Sequence, residues 1–177
     1  MAAHRAANGL TARLLVRAER EGDRSAIREV IASAFDGMPY ADGDEAELVD
    51  RLRSARALSV SLVAEVNGTI VGQIAFSPAY PSDGCGGWYA LGPVSVLPSH
   101  QRSGIGGKLV RAGLRAIVEL GAVGCMLTGD PDYYARFGFS LAPSNAPVDE
   151  PAEFFMVKLV GGPIPIGAIR FHTAFYG

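Results

Sequence analysis

The spacing of apolar and polar residues in the first half of the chain predicts one strand, two helices and a strand pair. Apolar side chains alternate with polar ones in the expected strands and recur every three or four residues in the expected helices. Asn67-Gly68 separates the last two segments and favours a tight hairpin turn. Asp23 begins the first helical segment and is a suitable N-cap residue. The segments are strands over residues 13–19, 58–66 and 69–76 and helices over residues 23–35 and 45–58.

The second half adds a strand, a long helix and several shorter elements. The β-branched run at residues 88–97 is typical of a strand, and residues 104–120 have a helical pattern that Gly121 ends. The apolar stripe of that helix comprises Ile105, Leu109, Ala116, Ile117 and Leu120. The later elements are strands at 125–128, 139–141, 154–160 and 166–171 and a short helix at 130–138 capped by Asp130. This order predicts an α/β fold with a mixed, mostly antiparallel central sheet and helices on both faces.

Length and composition restrict the classes of protein to which the chain can belong. Its 177 residues fit a single domain, which we place at residues 13–177 after a disordered or tag-like lead at residues 1–12. The lead lacks the apolar segment of a secretory signal, and no run in the sequence is long enough to span a membrane. Sixteen basic against eighteen acidic residues give no basic footprint for nucleic acid. We therefore expect a cytoplasmic protein whose partners include neither nucleic acid nor a membrane.

The two cysteines, Cys85 and Cys125, do not indicate a metal centre. They have no metal-ligand spacing, and there is no third or fourth cysteine to complete such a site. We expect both to be reduced thiols and the protein to need no metal.

The residues between the strand at 88–97 and the long helix have the pattern of an anion-binding turn. Gly104, Gly106 and Gly107 let the backbone approach a ligand closely, and the first N–H groups of a helix have no internal acceptor. Arg102, Lys108 and Arg111 add positive charge beside the turn, and a bound anion would offset their conflict with the helix dipole. The alternative interpretation is a glycine-rich start of a helix that binds nothing.

Two familiar phosphate-binding motifs do not fit this turn. A Walker loop requires Ser or Thr after Gly107-Lys108, where the sequence has Leu109, and a first glycine where it has Arg102. A dinucleotide fingerprint requires a glycine at the position of Leu109. The remaining pattern, Gln101-x-x-Gly104-x-Gly106 after a Val-rich strand, resembles the coenzyme A loop of the GNAT superfamily of acyl-CoA-dependent N-acetyltransferases.

A second motif strengthens the resemblance. Asp132-Tyr133-Tyr134-Ala135-Arg136-Phe137-Gly138-Phe139 is similar to the family pattern aromatic-Tyr-x-x-x-Gly-Phe and follows the glycine turn in the family's order. The resemblance covers nearly the whole chain after residue 13 and extends to a bacterial branch of predicted acetyltransferases. It implies a GNAT-like fold and acetyl-CoA as co-substrate. The cofactor-binding residues that it implies are Val94, Ser95, Val96, Gln101, Arg102, Ser103, Gly104, Ile105, Gly106, Gly107 and Lys108.

The resemblance also implies a reaction in which an amine attacks the thioester directly. The pantetheine arm would pair with the backbone of Val94 and Val96, and an N–H near Val94 or Ser95 would face the thioester oxygen. Tyr134 matches the tyrosine that hydrogen-bonds the sulfur and acts as general acid, whereas a packed aromatic is the alternative role. No general base is assigned, because the strand at 88–97 contains no carboxylate. Asp130 and Glu65 have structural roles available to them, and water could relay the proton.

The acceptor side is less specific in the sequence. The loop at residues 36–44 and the preceding helix end place Phe35, Met38 and Tyr40 where they could line a pocket for a small-molecule or peptide amine. We therefore expect an N-acetyltransferase that acts on a primary amine. A GNAT-like module that only binds acyl-CoA, and a nucleotide-binding α/β protein, are the alternatives, and a homodimer is compatible with either GNAT hypothesis.

Overall fold

The computed structural model describes residues 13–177, so the lead predicted at residues 1–12 lies outside the described part. Eight strands form the sheet: β1 (Leu14–Ala18), β2 (Val60–Val66), β3 (Thr69–Pro81), β4 (Trp88–Val96), β5 (Gly124–Thr128), β6 (Ser140–Leu141), β7 (Phe155–Leu159) and β8 (Ile169–Arg170). Four helices accompany them: α1 (Arg24–Phe35), α2 (Glu45–Ser54), α3 (Ile105–Glu119) and the single-turn α4 (Pro131–Tyr134).

The sheet is mixed and mostly antiparallel, as the sequence predicts. Its order is β1-β2-β3-β4-β5-β7-β6, with β8 pairing to the end of β3. Among the described strands, only β4 and β5 run parallel to each other, and α3 provides the crossover between them. The predicted fold class, an α/β sheet with helices on both faces, is confirmed.

Helix α3 packs on one face of the sheet, and α1 and α2 pack on the other. Phe76, Leu109, Ile117 and Leu127 belong to the core cluster on the α3 face. Ile27 and Val49 belong to a cluster on the opposite face. Strand alternation explains the division, because successive residues of β2, β3 and β7 enter opposite clusters.

Close packing of α3 on the sheet depends on a glycine in the middle of the helix. A Cβ atom on Gly113 would lie 2.2 Å from Cε2 of Phe76, whose side chain is fully buried. The buried residues of α3 are Ile105, Leu109, Val110, Gly113 and Ile117. The predicted stripe is therefore wrong at Leu120, which follows the helix and is 54% exposed, and it omits Gly113.

The other differences from the sequence analysis concern boundaries and caps. The second predicted helix ends four residues early, at Ser54, and β3 continues to Pro81, five residues beyond the predicted end of that strand. Of the last predicted strand, only Ile169–Arg170 pairs. Asp23 occupies the N-cap position of α1, but its carboxylate accepts hydrogen bonds from Arg17 and from the Arg20 N–H instead.

Candidate active site

The sheet opens between its two parallel strands. The strands β4 and β5 pair only at Trp88–Ala90 with Gly124–Met126. Beyond Ala90 the register of β3 and β4 shifts at a bulge, and Gly92-Pro93 lies in that bulge. Strand β5 keeps its antiparallel partner β7 as far as Thr128. The second half of β4 therefore has a strand partner on one side only.

The free edge of β4 presents the backbone of Val94 and Val96. The Leu97 N–H donates to the Val71 carbonyl at 2.8 Å, which makes Leu97 a hydrogen-bonded position of the β3–β4 ladder. In an antiparallel ladder these positions alternate, so Ser95 also bonds toward β3. The N–H and C=O groups of Val94 and Val96 then point into the opening. This is the edge to which an extended ligand can add as a strand.

Ser95 differs from the two valines beside it. Its backbone belongs to the β3 ladder, and its side chain faces away from α3, because Val94 and Val96 pack against the α3 cluster. The hydroxyl is buried and has no protein partner, as is also true of the Gln73 amide, its register partner on β3. The backbone groups of Ser95 bond toward β3, so they do not face the opening in which the predicted cofactor would lie.

The glycine turn presents a continuous series of backbone donors. Arg102 and Gly104 both have left-handed backbones, with φ of 58° and 83°, which fold the chain back before α3 begins at Ile105. None of the N–H groups of residues 102–107 donates to another described residue, whereas the Lys108 N–H donates to the Gly104 carbonyl. Six adjacent donors at a helix N-terminus can hold a diphosphate.

The side chains of this turn have different surroundings. Gln101 donates to the Val96 carbonyl at 3.0 Å and ties the turn to the end of β4. The Ser103 hydroxyl donates to the His100 carbonyl, and Ile105 is buried in the core. The side chains of Arg102 and Lys108 are exposed, so their charges are available to an anion beside the turn.

Tyr134 is positioned by a cap and by a glycine. The Asp130 carboxylate accepts a hydrogen bond from the Asp132 N–H at 2.9 Å and begins α4, so the structural role available to Asp130 is the observed one. The Tyr134 ring lies so close to Gly129 that a Cβ there would be 2.6 Å from Cε2. The hydroxyl of Tyr134 has no hydrogen-bond partner among residues 13–177. Burial raises the pKa of Tyr134, and the neighbouring Tyr133 and Tyr40 raise it further, so the phenol stays protonated.

Tyr133 lies beside the glycine turn. Its hydroxyl would be 3.0 Å from a Cβ on Gly106, and the Arg136 guanidinium covers its ring at 4.7 Å. Its ring meets that of Tyr134 edge-on at 4.9 Å. The ring of Tyr133 therefore packs among other aromatic side chains, and its hydroxyl lies at the start of α3.

The predicted acceptor residues lie around a cleft between α1 and α2. The cleft has a volume of about 540 Å³, and Phe35 and Met38 are among its lining residues, together with Asp36 and Asp42. Tyr40 is 73% exposed and contacts Met38 at 3.5 Å, outside the cleft. The structure therefore brings two of the three predicted residues together.

The titratable groups considered from the sequence are engaged elsewhere. Glu65 forms an ion pair with Arg17 at 3.0 Å, and the Asp130 carboxylate caps α4. The carboxylate that the sequence analysis missed is Glu150, which accepts a hydrogen bond of 2.7 Å from the Thr128 hydroxyl at the end of β5. These two residues are far apart in sequence, so no local motif could have paired them.

The described residues contain neither a group of metal ligands nor a membrane-spanning helix. Within residues 13–177 no three His, Cys, Asp or Glu side chains are grouped so as to hold a metal ion. None of the helices there is long and apolar enough to cross a bilayer.

Known acetyltransferase sequences resemble this chain over most of its length. The family model described as the acetyltransferase (GNAT) family matches residues 24–139. The uncharacterised N-acetyltransferase YhbS of Escherichia coli strain K12 is 32% identical over 130 residues, which are 73% of this chain and 75% of that protein. A second protein of that strain, the uncharacterised N-acetyltransferase YjhQ, is 32% identical over 161 residues, which are 85% of this chain and 87% of YjhQ.

Solved structures give the same result. A GNAT family acetyltransferase from Brucella melitensis, in complex with acetyl-CoA, aligns with a TM-score of 0.82 and 45% identity over 92% of this chain and 98% of that chain. Escherichia coli YhbS in complex with CoA aligns with a TM-score of 0.83 and 28% identity over 94% of this chain and 93% of its own.

Proposed function

The chain belongs to the GNAT family of N-acetyltransferases, and we propose on that premise that it transfers the acetyl group of acetyl-CoA to a primary amine by direct attack. The observation that carries the proposal is a set of backbone groups that have no backbone partner in the described part of the chain, although the Val96 carbonyl accepts from the Gln101 side chain. It runs from Val94 and Val96 on the free edge of β4 to the six N–H groups of residues 102–107. Relatives of similar fold were crystallised with acetyl-CoA and with CoA, which supports the same ligand here.

We assign the parts of acetyl-CoA to this set by their chemistry. The amide-containing pantetheine arm pairs with Val94 and Val96, because its amide groups can replace a strand partner. The pyrophosphate accepts from the N–H groups of residues 102–107, beside the charges of Arg102 and Lys108. The Val94 N–H is the oxyanion donor, since it points into the opening where the thioester would lie.

We assign the general acid to Tyr134. The departing thiolate needs a proton, and a phenol with a raised pKa remains protonated until the sulfur develops negative charge. Its hydroxyl has no other partner among the described residues, which leaves the proton available. The acceptor is a small-molecule or peptide amine that approaches from the side of Phe35 and Met38.

Calorimetry with acetyl-CoA and free CoA tests the binding part of this proposal. Gly104→Glu places a negative charge in the turn at a left-handed position, and we expect it to weaken binding at least 100-fold. Gly121→Glu is the matched control, because Gly121 is also left-handed, also has open space around it and lies beyond the other end of α3. Equal loss in both variants, or no binding by the unmodified protein, would contradict the proposed site.

Turnover of Tyr134→Phe tests the chemical part. We expect kcat to fall by about 10²–10⁴-fold while affinity for CoA stays within twofold, because only the transferable proton is removed. Unchanged kcat would remove Tyr134 from the mechanism. A protein that binds acetyl-CoA and acetylates no amine would instead be a binding module.

A further inference from the structure

One side-chain hydrogen bond and one backbone hydrogen bond hold Glu150 at the end of β5. Its Oε2 atom accepts a hydrogen bond from the Thr128 hydroxyl at 2.7 Å, and its own N–H donates to the Pro147 carbonyl at 3.1 Å in a turn. Thr128 is the last residue of β5 and lies two residues beyond Met126, the last residue that pairs with β4. The carboxylate is therefore fixed beside the opening in the sheet.

Strand alternation places Glu150 on the face opposite α3. Met126 packs in the cluster that contains Trp88 and Phe155, on the side of α1 and α2. Thr128 is two residues further along β5 and faces the same side. Tyr134 packs against the α3 cluster, on the other side of the strand. A thioester in the opening would thus have the phenol on one side and the carboxylate on the other.

The polar groups around this face support a ligand there. The Ser95 hydroxyl, on β4 at the opening, also faces away from α3, is almost completely buried and has no partner among the described residues. Buried polar groups are usually hydrogen-bonded, so unpartnered ones beside an opening indicate that a polar ligand or its water completes them.

The charges that surround Glu150 favour its neutral form. Burial raises the pKa of the Glu150 carboxyl, the Thr128 hydrogen bond opposes this, and the charges of Asp42 and Asp149 raise the pKa further. Tyr176 faces it from the last turn of the chain, with Arg170 beside that phenol, and no basic side chain is among the groups that shift the Glu150 pKa. A carboxylate in such surroundings attracts a cation and accepts its proton readily.

We propose that Glu150 is the general base, and that the acceptor is a primary amine which arrives as a cationic ammonium. This inference rests on the proposed acetyltransferase function. Neutral amine is the reactive form, so the ammonium must lose a proton before attack. A half-buried carboxylate on the acceptor side performs both tasks, because it binds the ammonium and then removes one proton.

The groups already named account for every proton and electron pair in the reaction. One N–H proton of the ammonium passes to Glu150, and the freed lone pair forms the N–C bond to the thioester carbonyl. The C–S bond breaks, its electron pair stays on sulfur, and sulfur takes the Tyr134 proton. The second amine proton restores the Tyr134 phenol through water. Glu150 then releases its proton to solvent, so each turnover yields amide, CoA and one proton.

The test compares Glu150→Gln with Glu153→Gln. Glutamine still accepts from Thr128, so the local contact survives while the base is lost. Glu153 is an exposed carboxylate three residues away and gives the matched control. Turnover is followed as thiol release from acetyl-CoA, with a panel of alkylamines, amino acids and lysine-containing peptides, across a range of pH.

We expect Glu150→Gln to lower kcat by about 10²–10⁴-fold and to replace the acid limb of the carboxylate in kcat/KM by a fall that follows the ionisation of the free amine at higher pH, with binding of CoA unchanged. Glu153→Gln should stay within threefold of the unmodified protein at every pH. Thr128→Val removes a hydrogen bond to the charged form, so the acid limb should move to higher pH. A purely structural role for Glu150 would lower thermal stability without moving this limb.

Two outcomes separate the failure of this inference from the failure of the proposed function. If the unmodified protein acetylates an amine and Glu150→Gln does so equally well, with the same acid limb, then Glu150 is not the base. If the unmodified protein binds acetyl-CoA but acetylates no amine in the panel, the proposed function fails, and the role of Glu150 fails with it.

Discussion

Gly129→Ala should lower turnover mainly through the Tyr134 ring, since the other near contact, Cδ1 of Leu127 at 3.2 Å, is the end of a flexible side chain. Gly129 follows β5, and its N–H donates to the Phe154 carbonyl at 3.0 Å, a bond that alanine can also make. Its φ is not in the left-handed region, so the substitution adds no backbone strain. The new methyl group would lie 2.6 Å from Cε2 of Tyr134. The aromatic ring has to move, because it is the nearest obstacle.

The size of the effect follows from the distance. Ordinary contact begins at 3.4 Å, so the ring must withdraw by about 0.8 Å from its present place. A misplacement of about 1 Å in a reacting group can lower the rate by about 10²-fold. We expect kcat to fall by about 10–100-fold, which corresponds to about 1.4–2.7 kcal/mol of transition-state stabilisation.

A double-mutant cycle measures the effect. The four proteins are the unmodified chain, Gly129→Ala, Tyr134→Phe and the double variant, assayed for kcat by thiol release. In the Tyr134→Phe background there is no hydroxyl to misplace, so Gly129→Ala should change kcat by less than twofold. Gly161→Ala is the control, because a Cβ there meets nothing within 4 Å and the backbone is ordinary. The reasoning is refuted if Gly129→Ala lowers kcat equally in both backgrounds or leaves it unchanged in the unmodified chain.

Three further predictions concern packing and thiol reactivity. Gly113→Ala should lower the free energy of unfolding in urea by about 1–3 kcal/mol, because the new methyl group meets the Phe76 ring. This loss should exceed the gain from the better helix propensity of alanine. Equal or greater stability of the variant would contradict the packing. Gln73→Leu should raise stability by about 1 kcal/mol, seen as a Tm higher by about 2–4 °C, because it replaces a buried amide that has no protein partner; a lower Tm would mean that the amide is satisfied. Burial raises the pKa of the Cys125 thiol, so a disulfide reagent should titrate only the exposed Cys85 in the folded protein and both thiols in denaturant; two fast thiols in the native state would contradict this.

The glycine turn and α4 could be predicted from the sequence because both are local structures. The glycine turn, its positive charges and the strand before it lie within residues 91–108, and backbone conformation there depends on neighbouring residues. The same holds for Asp130 and α4, where a cap and a proline determine a single turn. The pairing of β2 with β3 was also predictable, since Asn67-Gly68 lies between them and favours a hairpin.

The acceptor side depends on contacts between distant segments. Thr128 and Glu150 meet because β5 pairs with β7 and the chain between them returns to the end of β5. Gly113 is required by Phe76, and helical periodicity counts a glycine as neutral. Ser95 lies within the predicted cofactor strand, but only the ladder register shows that its backbone bonds toward β3. In each case the missing information is a tertiary distance.

The short pairing between β4 and β5 has a consequence for cooperativity. The boundary between β4 and β5 divides the sheet into two parts, and three residue pairs join these parts. A ligand that bridges Val94 and Val96 would supply the missing rungs, so amide hydrogen exchange should slow on both sides of the boundary and not only at the contact. At a ligand concentration of about 100 times Kd, linkage adds about 2.7 kcal/mol to global stability. Proteases cleave a protein most easily where it unfolds locally, and the bound ligand would suppress local unfolding at this boundary. The amount of the protein in a cell would then increase with the concentration of the ligand.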